Sequence, residues 1–208
     1  MWIAHTADFE RLLDNSVYDY EKDYMPYWAE IWPSGVVLAG FIARDPDALR
    51  GRRVLEFGPG VGVTAVAALQ AGADLTVADY DAGCLALTAL NALDQAGREP
   101  ATIRVNWRRP NRALFKAASD GFADVLGADL LYENADVRPL VHLLDELIAP
   151  GGELWLAEPG RDPAKRLVKA LRWRKWHHQS EEFPSPRPDP NYNTMDVITV
   201  HRLRRPMT

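Results

Sequence analysis

A glutamate, three alternate glycines and a later aspartate dominate the chemistry of "GRRVLEFGPGVGVTAVAALQAGADLTVADYD", residues 51–81. The glycines are Gly58, Gly60 and Gly62, preceded by Glu56 and followed at a distance by Asp79. A dinucleotide-binding turn would place its third glycine at position 63, which is Val63. A phosphate-cradling loop would end in Gly-Lys-Ser/Thr, and that ending is missing. Pro59 also removes one backbone N–H that a pyrophosphate would use. Glu56 instead offers a carboxylate to a cationic group, and Asp79 offers one to a pair of ribose hydroxyls. A ligand with an ammonium, a sulfonium, a ribose and no phosphate fits this set: S-adenosylmethionine. Tyr80, beside Asp79, is placed to lie against the adenine. The plainer readings are that the glycines only make a tight turn and that Asp81 caps the helix opening at Ala82.

Strands and helices must carry these groups, and their pattern is regular. Short apolar runs predict strands at Val54–Phe57, Leu75–Asp79, Thr102–Val105, Asp124–Ala128 and Glu153–Glu158. Helical spacing predicts helices at Val61–Ala71, Ala82–Ala96, Asn134–Ile148 and Asp162–Ala170. Strands that are apolar throughout belong to a mostly parallel sheet covered on both faces. The expected fold is therefore α/β, Rossmann-like and doubly wound, with ligands outside the carboxyl ends of the strands. In the tail, "LRWRKWHHQSEEF" and "MDVITVHRL" read as an antiparallel hairpin at the far edge of the sheet. The proline-rich Pro184–Thr194 stretch between them is expected to overhang the site.

The bulk numbers bound the rest. The chain has 208 residues, 47% hydrophobic and 25% charged, with a net charge of -5. One domain is expected, with residues 1–50 as an N-terminal helical lid, 51–170 as the cofactor-binding core and 171–208 as the hairpin. The negative charge speaks against a general nucleic-acid binder. Cys84 is the single cysteine and reads as a small buried apolar residue, so no disulfide or cysteine-rich zinc site is expected. His177 and His178, adjacent on a strand, face opposite ways and cannot share an ion, so no metal site is expected. The start carries no basic-then-apolar leader and no apolar run spans a bilayer, so a soluble, cytoplasmic protein is expected.

With these residues in view, the chain resembles the seven-stranded class I methyltransferases, and within them the family 16 protein-lysine methyltransferases. "PYWAEIWPSGVVLAGFI" at 26–42 is similar to the family's W-x-x-x-W-P-x-G segment. "ADLLYE" at 128–133 supplies D-x-x-Y as Asp129 and Tyr132. "LAEPGR" at 156–161 stands where relatives acting on an electron-transfer flavoprotein subunit have D-P-G-R, and departs from it with Glu158. The resemblance implies that Trp32 borders the methionine end of the cofactor, Trp107 lies near the adenine and Ala128 lies on the cofactor's path. It implies that Asp129 and Tyr132 face the incoming acceptor. Trp28 and Trp32 are four apart, a spacing that also suits one turn face packed into the core. Trp107 could equally be an aromatic closing a strand end, and Tyr132 a capping aromatic before the next helix.

The implied reaction is methyl transfer to a lysine amine of a protein, leaving S-adenosylhomocysteine. A lysine must first lose its proton, which costs roughly 4.6 kcal/mol at pH 7 from a pKa near 10.4. Asp129 is therefore expected to recognise and aim the amine, with the proton passing to water. The runner-up is a small-molecule amine or a pyridine-type nitrogen as acceptor. A third reading is a cofactor-binding protein without turnover. Nucleic acid is disfavoured as substrate, because "RWRKWHH" also reads as a charged edge strand.

Overall fold

The structure is a computed structural model that describes residues 2–5, 26–187 and 197–207. Seven strands form one sheet: β1 (Arg53–Phe57), β2 (Asp74–Asp79), β3 (Ala101–Arg104), β4 (Phe122–Ala128), β5 (Ile148–Glu158), β6 (His177–Pro184) and β7 (Val197–Arg204). Their order across the sheet is β3-β2-β1-β4-β5-β7-β6. The first five run parallel, while β7 is antiparallel to both β5 and β6. The helices are α1 (Pro33–Arg44), α2 (Val63–Gln70), α3 (Ala82–Ala96), α4 (Arg112–Ala117), α5 (Asn134–Leu147) and α6 (Asp162–Trp173).

Alternation along the strands divides the core in two. Val54, Leu126 and Trp155 point to the layer made with α1, α2 and α3. Leu55, Val125, Leu154 and Leu156 point to the opposite layer, with α4, α5 and α6. Both layers are buried, so the central strands β1, β4 and β5 carry apolar residues on both faces. Strand order turns back at β1 and β4, which are neighbours although far apart in sequence. A crevice opens at that reversal, beyond the carboxyl ends of the two strands.

Three expectations need correction. A sixth helix, α4, was not expected, because its six residues are too few for a helical period to show. Asn111 caps it by accepting from Leu114 N at 3.1 Å. Leu171–Trp173 belong to α6 and not to a strand, since the apolar series Ala164, Leu167, Val168 and Leu171 continues the helical face. Consequently Arg174 and Lys175 lie in the turn before β6 and do not guard an edge strand. That edge instead carries Glu181 and Glu182.

β6 runs parallel to β5, through β7, so its Pro184 end lies at the same sheet edge as the glycine loop. The overhang expected of Pro184–Thr194 falls mostly outside the described residues, as do residues 6–25 of the expected N-terminal lid.

Candidate active site

The loop after β1 is built on left-handed backbone, with φ of 59° at Gly58, 59° at Gly60 and 89° at Gly62. At Gly58 a Cβ would stand 2.8 Å from a Leu130 methyl, so the loop lies directly against the segment after β4. Gly62 does a different job. It caps α2, and a Cβ there would meet Thr88 Cα at 3.1 Å, which sets the close approach of loop and α3. Polar groups of α3 hold the loop's carbonyls: Thr88 Oγ1 donates to Gly60 O at 3.0 Å, and Asn91 Nδ2 to Val61 O at 2.7 Å. Cys84 is buried there as expected, and its thiol lies 3.3 Å from Gly60 O.

Glu56 sits under this loop with 1% of its surface exposed. Among the described residues its Oε2 has no hydrogen-bond partner. Burial pushes its carboxyl up to about 8, so without a cation beside it the group is protonated at neutral pH. It opens into a cleft shared by Trp32, Gly58, Gly60 and Ala128. The cleft encloses only about 40 Å³, room for the end of a ligand and not its whole length.

Other expected contacts lie farther along the strand ends. Asp79 closes β2; its Oδ1 accepts from Asp81 N at 2.8 Å, and Asp81 caps α3 by accepting from Cys84 N at 2.9 Å. Asp81 therefore caps α3 as expected, while Asp79 stands at the carboxyl end of β2. Burial pushes Asp79 up to about 6. Tyr80 follows, half-exposed at 44%. Trp107 packs edge-on to Phe57 at 6.0 Å, and its Nε1 donates to Asp136 at 3.4 Å. It does not border the Glu56 cleft. Trp28 lies over Gly83, while Trp32, at the N-cap of α1, lines the cleft.

Beyond Ala128 the chain turns at Asp129, whose φ of 57° is unusual for a residue with a side chain. Asp129 N donates to Ala157 O at 3.0 Å, which pins this turn to β5. Its carboxylate is buried and doubly held: Ser34 Oγ donates to Oδ2 at 3.1 Å, and the Arg161 guanidinium donates to Oδ1. Arg161 also lies over the Tyr132 ring at 4.5 Å. Tyr132 stacks on Tyr27 at 5.5 Å and meets Trp32 edge-on at 6.3 Å. Trp32 thus joins the cofactor cleft to the Asp129 edge. The phenol of Tyr132 is pushed above its ordinary range by burial and by Tyr27 and Tyr80, so it stays a hydrogen-bond donor at neutral pH.

Sequence reasoning missed Arg161, Ser34 and Tyr27 as members of this site. Glu158 places Arg161: its Oε2 accepts from Gly160 N at 2.5 Å and Arg161 N at 2.9 Å, while His201 donates to Oε1 at 3.1 Å. "WPSG" and "EPGR" contained the signal, but the Arg161–Asp129 pair joins segments that only the fold brings together.

A larger cleft of about 390 Å³ lies elsewhere, lined by Phe41, Arg44, Asp45, Trp155 and Arg202. Its two guanidiniums are already paired, with Glu181 at 2.7 Å and Glu153 at 2.5 Å, and it shares no lining residue with the glycine loop. Size does not identify the reactive site here. Among the described residues no cluster of three metal-ligating side chains occurs, and no helix is long and apolar enough to cross a membrane.

The residues present fit S-adenosylmethionine, because an orphaned buried carboxylate beside a glycine cradle suits an ammonium and Asp79 suits a ribose. A profile of the family described as lysine methyltransferase matches residues 21–170. The electron transfer flavoprotein beta subunit lysine methyltransferase of Danio rerio is 30% identical over 139 residues, covering 65% of this chain and 51% of that protein. The protein N-lysine methyltransferase METTL21A of Danio rerio is 30% identical over 120 residues, 57% of this chain and 55% of that protein. The chain spans about half the length of these relatives. Among solved structures, the N-methyltransferase NodS from Bradyrhizobium japonicum WM9, in complex with S-adenosyl-L-homocysteine, aligns over 96% of this chain and 97% of its own. Its TM-score is 0.65 at 15% identity, a likeness of fold. On fold and sequence together, this chain belongs to the lysine methyltransferase family of class I methyltransferases.

Proposed function

We propose that this domain transfers a methyl group from S-adenosylmethionine to the side-chain amine of a lysine in a protein. The observation that carries this reading is the junction at Trp32, which joins the orphaned Glu56 carboxylate on one side to the Asp129–Arg161–Tyr132 cluster on the other.

Bound at the glycine loop, S-adenosylmethionine supplies a methyl group on a cationic sulfur, released to a nucleophile with S-adenosylhomocysteine as product. Glu56 receives the ammonium end, Asp79 the ribose hydroxyls, and Tyr80 and Trp107 flank the adenine end. Gly58, Gly60 and Ala128 leave the backbone bare where the ligand passes, and Trp32 screens the reacting end from water. Asp129 retains lone pairs beyond those used by Ser34 and Arg161, so it can still accept from an acceptor N–H and aim the nitrogen. Arg161 tempers that carboxylate. A bare Asp129 would hold a lysine as its cation, whereas the guanidinium beside it favours the neutral, nucleophilic amine. Proton loss then goes to water, and alignment does the rest of the protein's work.

A protein acceptor, in preference to a small amine, suits the exposure of this edge: Tyr27 is 45% and Tyr132 41% exposed. Incubation of methyl-labelled S-adenosylmethionine with a fractionated cell extract tests the reading. Label in a protein band, lost or sharply reduced with Asp129→Asn, is the expected result. Label confined to small molecules would overturn the lysine assignment.

A further inference from the structure

α6 leaves the active site at Arg161 and has two unlike faces. Pro163, Ala164, Leu167, Val168 and Leu171 are buried, which anchors the helix along one stripe. Lys165, Arg166, Lys169 and Arg172 occupy the exposed stripe, at the spacing that aligns side chains along one side of a helix. Trp173 stands at the far end of this stripe with 82% of its surface exposed. Among the described residues, Arg166, Lys169 and Arg172 make no ion pair, and Lys165 reaches only Asp162, at 3.9 Å. The twelve residues of α6 extend about 18 Å. The result is a cationic track that begins at Lys165, four residues beyond Arg161, the partner of Asp129, on a chain whose net charge is -5.

We infer that this face of α6 docks the acceptor protein through an acidic surface next to its target lysine. The inference rests on the lysine-methyltransferase reading and adds the chemical character of the partner. Charge complementarity selects the partner, since a surface of Asp and Glu matches four unpaired or weakly paired cations. Trp173 supplies an apolar anchor at the end of the track. The short length of the track selects a protein over a long polyanion. Nucleic acid or an anionic membrane would run off the helix onto an acid-rich molecule, while a folded acidic patch need not.

Fluorescein-labelled peptides with one central lysine test this, one flanked by Asp and Glu and its isomer flanked by Asn and Gln. A short DNA duplex and vesicles of mixed neutral and anionic phospholipid serve as competing probes. Binding is read by anisotropy and methyl transfer by label from S-adenosylmethionine. The full chain should bind the acidic peptide about ten-fold or more tightly than the neutral one. That preference should fade at high salt, as surface charge interactions do. It should be lost in K165Q/R166Q/K169Q/R172Q with cofactor affinity and melting temperature unchanged. Conversion of Trp173 to Ala should weaken binding without altering its salt dependence.

Equal binding of both peptides, or an acidic preference that survives the quadruple change, would overturn the inference. So would tighter binding of the duplex or the vesicles. If the acidic peptide binds along α6 but is never methylated, the docking face stands and the lysine acceptor falls. The two failures are thereby distinguishable.

Discussion

Glu56 is a carboxyl with almost no exposure and an oxygen that has no partner among the described residues, and such a group keeps its proton past neutrality unless a cation arrives. Its value of about 8 in the free protein must fall when an ammonium docks beside it. Cofactor binding at pH 7 should therefore release close to one proton, measurable by calorimetry in buffers of different ionisation enthalpy. Glu56→Gln should abolish that release and weaken binding by about 10- to 100-fold, the worth of a hydrogen bond to a charged group. Buffer-independent binding by the wild type would remove Glu56 from the ammonium. Arg161 makes the second argument at this scale. Its guanidinium should hold the bound acceptor amine's pKa down, so Arg161→Gln should move the rising limb of the kcat profile to higher pH. A profile that drops in height without moving would leave Arg161 a merely structural partner of Asp129. Glu56, next to last in β1, and Asp129, just past β4, were legible in the sequence because each stands by the carboxyl end of an apolar strand where a charge has no packing reason to be. Arg161 was not, because its place in "EPGR" carried no sign that the fold would set it against Asp129.

Elements turn those side chains into a site through two strained corners. Gly62 holds φ of 89° with Thr88 Cα 3.1 Å from where a Cβ would stand. Gly62→Ala should cost about 1–3 kcal/mol of stability and loosen the cofactor loop, seen as a lowered melting temperature with weaker cofactor binding. A variant as stable as the wild type would mean that the α2–α3 approach is softer than its geometry implies. The Asp129 corner, at φ of 57°, asks for a different comparison. Asparagine tolerates left-handed backbone, so Asp129→Asn should lower the melting temperature only through the lost charge facing Arg161, while activity falls at least ten-fold. Alanine at the same place would confound lost charge with backbone strain. The long periodic elements were readable in advance because burial on both faces leaves apolar runs in the chain. The six residues of α4 were too short to show a period. The end of α6 was misread because Trp and Arg suit a strand edge as well as a helix face, and only the position of Leu171 on the buried stripe decides it.

Across the whole molecule, the buried carboxyls bias stability toward acid. Burial raises Glu56 from 4.5 to about 8, Asp79 from 3.8 to about 6, and Asp124 from 3.8 to about 6 despite its pair with Arg52. For each, the folded chain holds a proton that the unfolded chain releases earlier, so its contribution is full below pH about 4 and lost as pH rises through the folded value. The loss runs from about pH 4 to 8, and above pH 6 the carboxyl share is that of Glu56, at most about 3 kcal/mol over two pH units at 1.36 kcal/mol each. Glu153 opposes the trend: burial would raise it, but hydrogen bonds from Arg204 and Arg202 outweigh that and hold it low, so it favours the folded state as pH rises through its unfolded range. That opposition is complete by about pH 5, and His178, which burial and His201 hold below 6.5, adds a gain that ends near pH 7, so the loss between pH 7 and 8 belongs to Glu56. The cofactor-free protein should therefore melt at a lower temperature at pH 8 than at pH 7. Glu56→Gln should flatten that slope, and saturating S-adenosylmethionine should flatten it too, because an ammonium makes the ionised carboxylate the favoured form. A wild-type slope that Glu56→Gln leaves intact would place the titrating group elsewhere and deprive the cleft of its buried anion.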